Sequence, residues 1–169
     1  MLWVTRSKIR VNRAATGWLI RRFIDPDARF CFVEPAEVAR IQRECPAIGF
    51  DAPGARYPHQ DAAGRCSFEA LVAEYRPSDG ALQALAGIVH YADFPQEAPR
   101  HHLADAASFD TVSLVLPQNR TAVANADAAG LRTISRGFPL VATDDHETLD
   151  RCTFLYDALY ASLQERLGR

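Results

Sequence analysis

Hydrophobic and polar positions follow two rhythms along the first third of the chain. Residues 2–6 (LWVTR) are apolar, short and β-branched, the pattern of a buried strand. Over residues 12–24 (NRAATGWLIRRFI) the period changes. Ala15, Trp18, Leu19 and Phe23 fall at helical spacing, Asn12 stands at the N-cap, and Asp25-Pro26 ends the run. Residues 29–35 (RFCFVEP) alternate again and read as a second strand. Residues 35–45 (PAEVARIQREC) form an amphipathic helix with proline in its first turn, and residues 47–51 (AIGFD) a third, short strand. This β-α-β-α-β order predicts an α/β fold with a small, mostly parallel sheet of three or four strands and right-handed crossovers. Ligands in such sheets gather at the carboxyl ends of the strands, which here carry Arg6, Glu34 and Asp51.

The remainder reads mostly as helix. Residues 66–75 (CSFEALVAEY) form one, with Ser67 as its candidate cap, and residues 79–93 another. Residues 94–126 are mixed and contain proline; within them 111–116 (TVSLVL) has the pattern of a strand. Residues 126–138 form a weaker helix with Gly137 near its end. A long terminal helix over 144–167 opens with Asp144 and has Glu147 three residues on, as in a capping box. No internal repeat or low-complexity linker divides the chain, so residues 1–169 are expected to form a single domain with a helix-rich second half.

Composition narrows the function more than the fold. Nineteen basic residues against 21 acidic give a net charge of −2, which argues against nucleic acid as the main partner. A local basic cluster remains near the start, in Arg6, Lys8, Arg10, Arg13, Arg21 and Arg22. The four cysteines (Cys31, Cys45, Cys66, Cys152) contain no CxxC, so neither a structural zinc knuckle nor a vicinal thiol pair is indicated. No apolar run reaches the ~20 residues of a membrane span, and no signal-peptide pattern opens the chain, so the expected location is the cytoplasm. Neither GxGxxG nor GxxxxGK[ST] follows the first strand, so no nucleotide cofactor is indicated.

Three groups of side chains carry candidate chemistry. His59 lies in a loop rich in Pro, Gly and Asp, and Glu69 lies ten residues on, at a helix start just after Cys66. Both are metal-ligand types, and a loop running into a helix can bring them together. The plainer alternative is a surface histidine and a first-turn glutamate that favours the helix dipole. On the terminal helix His146 and Asp157 are three turns apart on one face. Either they project into a site, or His146 is exposed and Asp157 pairs with an arginine. Asp93, at the end of its helix, opposes the dipole there. Arg13 and Arg22 could fork onto an oxyanion, Arg13 from a helix first turn, or could belong to a solvated basic face. The pair His101-His102 lies in the irregular segment and is expected to face solvent.

The strings WVTR, NRAATGWLIRRFIDPDARFCFVEPAEV, GFDAPG, GRCSFEALV, IVHYAD, DDHETLD and YDALY occur in this order, and together they resemble the C-terminal domain of the ChrB chromate resistance family. The likeness runs from residue 3 to about residue 162, with a gap near 95–125 that reads as an insertion. Carried over by position, the family's polar residues fall on Arg13, Trp18, Arg22, Asp25, His59, Cys66, Glu69, Asp93, Asp144, Asp145, His146, Tyr156 and Asp157. Asn12, Thr16 and Gly17 depart from the pattern, replacing an aspartate, a cysteine and a proline. The resemblance implies a chromate-resistance context and a polar site built from His59, Glu69, Asp93 and the terminal helix; the leading reading is a cytoplasmic protein that binds a metal ion or a small oxyanion there. His59, Glu69, Asp93, His146 and Asp157 are then the candidate metal ligands, and Arg13 and Arg22 the anion contacts. Mixed N and O donors would suit zinc, iron or manganese. Two other readings stand beside it. One is an enzyme acting on a small anion with Glu69 or His59 as general base. The other is a sensor or partner-binding module that responds to chromate without turnover. The family's longer members carry an N-terminal domain, so DNA binding is not expected of this chain. A homo-oligomer is left open.

Overall fold

The structure, a computed structural model, describes residues 1–97 and 124–168. Three parallel strands, β1 (Leu2–Arg6), β2 (Arg29–Val33) and β3 (Ala47–Gly49), form one sheet in the order β2-β1-β3. Leu2 stands opposite both Arg29 and Ala47, and the register runs in step to Arg6 opposite Val33. Helix α1 (Val11–Leu19) joins β1 to β2 and continues into a π-helical turn (Ile20–Ile24); helix α2 (Pro35–Glu44) joins β2 to β3. Side chains of parallel partners share a face. Trp3 and Phe30 therefore enter the main core with Trp18, Leu19, Phe68, Leu82 and Tyr156, while Val4 on the opposite face packs on Val38 of α2 and on Ala52. One face of the sheet is thus covered by α2. The other is covered by α1 with α3 (Ser67–Tyr75), α4 (Gly80–Asp93) and α6 (Asp145–Leu167) behind it. Helix α5 (Ala124–Val141) lies against α4.

This is the α/β architecture expected, with three parallel strands and a long C-terminal helix. Its connections part on either side of β1, so the carboxyl ends of β1 and β3 form the switch point where open sheets hold ligands. The strand-like stretch 111–116, the pair His101-His102 and nearly all of 95–125 lie outside the described residues. Among those described, no helix is long and apolar enough to cross a membrane.

Several local signals resolve differently from the sequence expectation. Helix α1 begins at Val11, with Arg10 at the N-cap and no side-chain cap. Asn12 is not the cap: it is buried in the first turn, where its amide serves tertiary partners. Helix α3 is capped by Cys66, not Ser67. The Cys66 thiol and the Glu69 carboxylate form a capping box, while the Ser67 hydroxyl is occupied by Thr16 and Asn12. Helix α5 runs past Gly137 to Val141 and contains Pro139. At the start of α6, Asp144 Oδ1 accepts from the Glu147 N–H at 2.8 Å, as a cap should. Glu147 reaches back to Thr143 N–H and hydroxyl at 2.6 and 2.8 Å, one residue beyond the usual partner.

Candidate functional site

β3 pairs with β1 only to Gly49, yet the chain stays beside β1 for two residues more. Phe50 N–H donates to Val4 C=O at 3.0 Å, and the Thr5 hydroxyl donates to Phe50 C=O at 2.6 Å. Asp51 then turns away with φ 50°, a left-handed conformation that a short polar side chain tolerates best after glycine. Its side chain, 1% exposed, becomes the centre of a charged group. Arg13 Nη1 from α1 donates to Oδ2 at 2.9 Å, Arg6 Nη2 from the end of β1 stands 3.3 Å from the same oxygen, and Asn12 Nδ2 donates to Oδ1 at 2.8 Å. His59 Nδ1, from the loop after β3, lies 2.6 Å from Oδ1. Asp93, the last residue of α4, places Oδ2 3.6 Å from the same His59 nitrogen. Arg6 Nε also donates to the Asp51 carbonyl at 2.8 Å.

The loop that leads into α1 is held for this purpose. Asp145, in the first turn of α6, accepts the backbone N–H groups of Lys8 and Ile9 at 2.8 and 2.7 Å. Arg13 Nη2 donates to the Lys8 carbonyl at 2.7 Å, and Lys8 itself sits at φ 61°. Loop, helix start and guanidinium are therefore fixed by one another.

The electrostatics follow from this packing. Burial alone would raise the Asp51 carboxyl, but the hydrogen bond from His59 and the charges of Arg13, His59 and Arg6 outweigh it and hold the group below the usual carboxylate range. His59 is raised, chiefly by its hydrogen bond to Asp51 against the opposing effect of burial. Asp93 is also raised, by burial first and by the Asp51 charge second. Burial lowers Arg13 despite Asp51. Among the described residues, with His59 protonated, three cations (Arg6, Arg13, His59) face two carboxylates (Asp51, Asp93), which leaves one net positive charge. Among the described residues, two buried atoms of this group have no hydrogen-bond partner: Arg13 Nε, a donor, and Asp93 Oδ2, an acceptor.

Glu69 belongs to a second group. Its Oε2 accepts from Cys66 N–H at 2.9 Å and lies 2.6 Å from His90 Nδ1 on α4. His90 Nε2 in turn lies 2.9 Å from Glu97 Oε2, just past the end of α4. Cys66, Glu69 and His90 are all buried. Burial and the neighbouring Glu69 push the Cys66 thiol well above its ordinary value. Burial opposes protonation of His90, yet Glu69 and Glu97 together raise it. Between the two groups stands Phe94, its ring centroid 4.9 Å from that of His59 and 5.1 Å from that of His90.

The expected site residues therefore divide. His59 and Asp93 meet, as does Arg13, around Asp51. Glu69 stands with His90 and Cys66 on the far side of Phe94. His146 is exposed in the first turn of α6, its ring edge-on to Phe32 at 4.8 Å. Asp157 accepts from Trp18 Nε1 at 2.9 Å and pairs with Arg22 Nε at 3.4 Å. The exposed-histidine and arginine-pair alternative holds for both, and Arg22 serves a different carboxylate from Arg13. In the sequence Asp51 is visible only as a strand end, and Arg6 as a strand end within the basic N-terminal cluster. His90 lies on the buried stripe of α4 with Leu82, Ala86 and Val89, and a polar residue on such a stripe was the available signal.

A family model described as "ChrB, C-terminal domain" matches residues 3–121. The chain belongs to the ChrB C-terminal domain family. It is 42% identical over 94 residues to Protein ChrB of Cupriavidus metallidurans, a match that covers 54% of this chain and 26% of that protein. The chain thus spans well under two thirds of that relative. No solved structure matches it. Both charged groups lie wholly inside the span matched by the ChrB family, whereas α6, which carries His146 and Asp157, lies beyond it.

Proposed function

We propose that this ChrB-family domain binds a small tetrahedral oxyanion of the chromate type at the carboxyl ends of β1 and β3, in a role related to chromate resistance in the cytoplasm. The observation that carries this reading is the pair of unmatched buried atoms beside a net positive group. Arg13 Nε can donate to an oxyanion, and Asp93 Oδ2 can accept a proton from a hydrogen-oxyanion or, once protonated itself, donate to a fully ionised one. Arg6 and Arg13 supply the charge, and Asp51 holds both in place as an internal counter-ion. A divalent cation at Asp51, His59 and Asp93, although these three offer converging donor atoms, would face two guanidinium groups that already occupy Asp51.

Calorimetric titration of the purified protein with sodium chromate, and with sulfate and molybdate beside it, tests this. The expected result is saturable binding of one oxyanion per chain, weakened at least about tenfold, or roughly 1.4 kcal/mol, by Arg13→Gln. Equal affinity in wild type and Arg13→Gln, or no heat from any of the three salts, would remove the proposal.

A second reading is favoured by one feature. The Asp51 contact fixes the ring of His59, and the two carboxyls beside that ring are pushed apart as in acid–base pairs, Asp51 held low by its cations and Asp93 raised by burial and by the Asp51 charge. On that reading His59 exchanges a proton with a bound anionic substrate and Arg13 stabilises the developing charge. Turnover abolished by His59→Gln, with oxyanion affinity retained, distinguishes catalysis from binding alone.

A further inference from the structure

We infer that Cys66, Glu69 and His90 form a separate binding site for a divalent transition metal of the zinc class, with Glu97 orienting the histidine. The inference goes beyond the oxyanion reading and concerns different residues. A sulfur, an oxygen and a nitrogen donor from these three buried side chains lie within 4.8 Å of one another. Borderline metals accept this mixed donor set, and three protein ligands leave a fourth tetrahedral position for water or another small ligand.

The charges of the three donors favour a cation, whereas the two guanidinium groups oppose one at Asp51. Among the described residues the group sets two carboxylates, Glu69 and Glu97, beside the His90 imidazole, so with His90 protonated these three side chains carry one net negative charge. With Cys66 as thiolate, Glu69 as carboxylate and His90 neutral, the three ligands carry two negative charges, which a divalent ion balances. Glu97 Oε2, 2.9 Å from Nε2, would hold the proton of His90 on that nitrogen and leave the Nδ1 lone pair facing Glu69 and Cys66. Carboxylates behind metal-bound histidines act in this way.

The identity of the N-cap is an independent observation. A helix start favours Ser, Thr, Asp or Asn at that position, and Ser67 is only one residue away. The chain instead caps α3 with a buried thiol and spends the Ser67 hydroxyl on Thr16 and Asn12. Capping gives no reason for sulfur; ligation does.

The test uses the full chain, dialysed against a chelator and titrated with Co2+, which reports tetrahedral and thiolate coordination by its absorption. One Co2+ per chain should bind, with visible ligand-field bands and a thiolate-to-cobalt charge-transfer band in the near ultraviolet, and Zn2+ should displace it. Cys66→Ser, which keeps a good helix cap, should abolish the charge-transfer band. Glu97→Gln should retain the band and weaken binding about 10- to 100-fold. His90→Gln provides a second ligand variant whose binding should be lost if Cys66→Ser fails to fold. A cobalt spectrum without the charge-transfer band, one unchanged in Cys66→Ser or in His90→Gln, or no Co2+ retained by the folded wild-type chain would overturn the inference. Failure of chromate to bind would leave it standing, since neither Arg6 nor Arg13 takes part.

Discussion

Asp51 shows how a single residue can hold a site together. Its carboxylate is buried, meets Arg13, Asn12 and His59 within 3 Å, and has Arg6 at 3.3 Å. Asp51→Asn keeps the shape and the left-handed backbone but leaves these donors without their counter-ion. It should cost about 3–5 kcal/mol of stability, as for other broken buried pairs, measured by urea denaturation at neutral pH. Asn12 gives a complementary case, because it stands where the resembling pattern has an aspartate. Its amide donates to Asp51 at 2.8 Å. A carboxylate there would set two anions together, so Asn12→Asp should destabilise by roughly 1–3 kcal/mol at pH 7 and recover as the pH falls and one of the pair takes a proton. The wild-type group has its own pH signature. His59 is raised, so its contribution is complete below the ordinary value of 6.5 and disappears as pH rises through the folded value. Asp51 is lowered, so its contribution is present above 3.8 and disappears as pH falls through the folded value. Asp93 is raised, so its contribution falls away as pH rises above 3.8, in the same direction as that of His59, and the His59–Asp51 contact should stabilise most between about pH 4 and 6.5. Thermal melts across pH should show His59→Gln flattening the decline on the alkaline side; an unchanged profile would remove His59 from the account.

At the scale of elements, the end of α4 does the most. His90, Asp93, Phe94 and Glu97 lie within eight residues, and between them they serve both charged groups. The strands, both crossover helices and the long α6 were legible because their rhythm is set by the same burial that forms them. What was not legible was partnership. Glu69 and His59 are ten residues apart in sequence, yet α3 turns the carboxylate toward α4 while the loop turns the imidazole toward Asp51. No periodicity encodes that choice, which depends on where α4 packs. The pairing of Arg6 with Asp51 was not legible because the meaning of a strand end depends on strand order. The cap of α3 was misplaced by one residue because Ser67 has better local chemistry than Cys66 and tertiary partners claim it. Asp145 shows how a remote element shapes the site, since α6 holds the β1–α1 loop by two backbone N–H groups. Asp145→Ala should cost roughly 1–3 kcal/mol by leaving those donors unmatched. It should also weaken oxyanion binding although the residue touches neither Asp51 nor Arg13, and parallel urea and calorimetric titrations check both effects.

Over the whole molecule, the order β2-β1-β3 and the packing of α4 across α1 and α3 place two groups of opposite bias on either side of Phe94. Among the described residues, the group at the sheet holds more cations than carboxylates and two unmatched atoms, and the group between α3 and α4 holds two carboxylates, an imidazole and a thiol. Both lie within the stretch that the ChrB family shares, so the chemistry proposed belongs to the matched region and not to α6. Oxyanion binding at Arg13 and Asp93 is tested by an anomalous difference map at the chromium edge, from crystals of this protein soaked in chromate. A single strong peak is expected within hydrogen-bonding reach of Arg13 Nε and beside Asp93, absent in Arg13→Gln crystals. No peak there, or one that persists unchanged in Arg13→Gln, would contradict it.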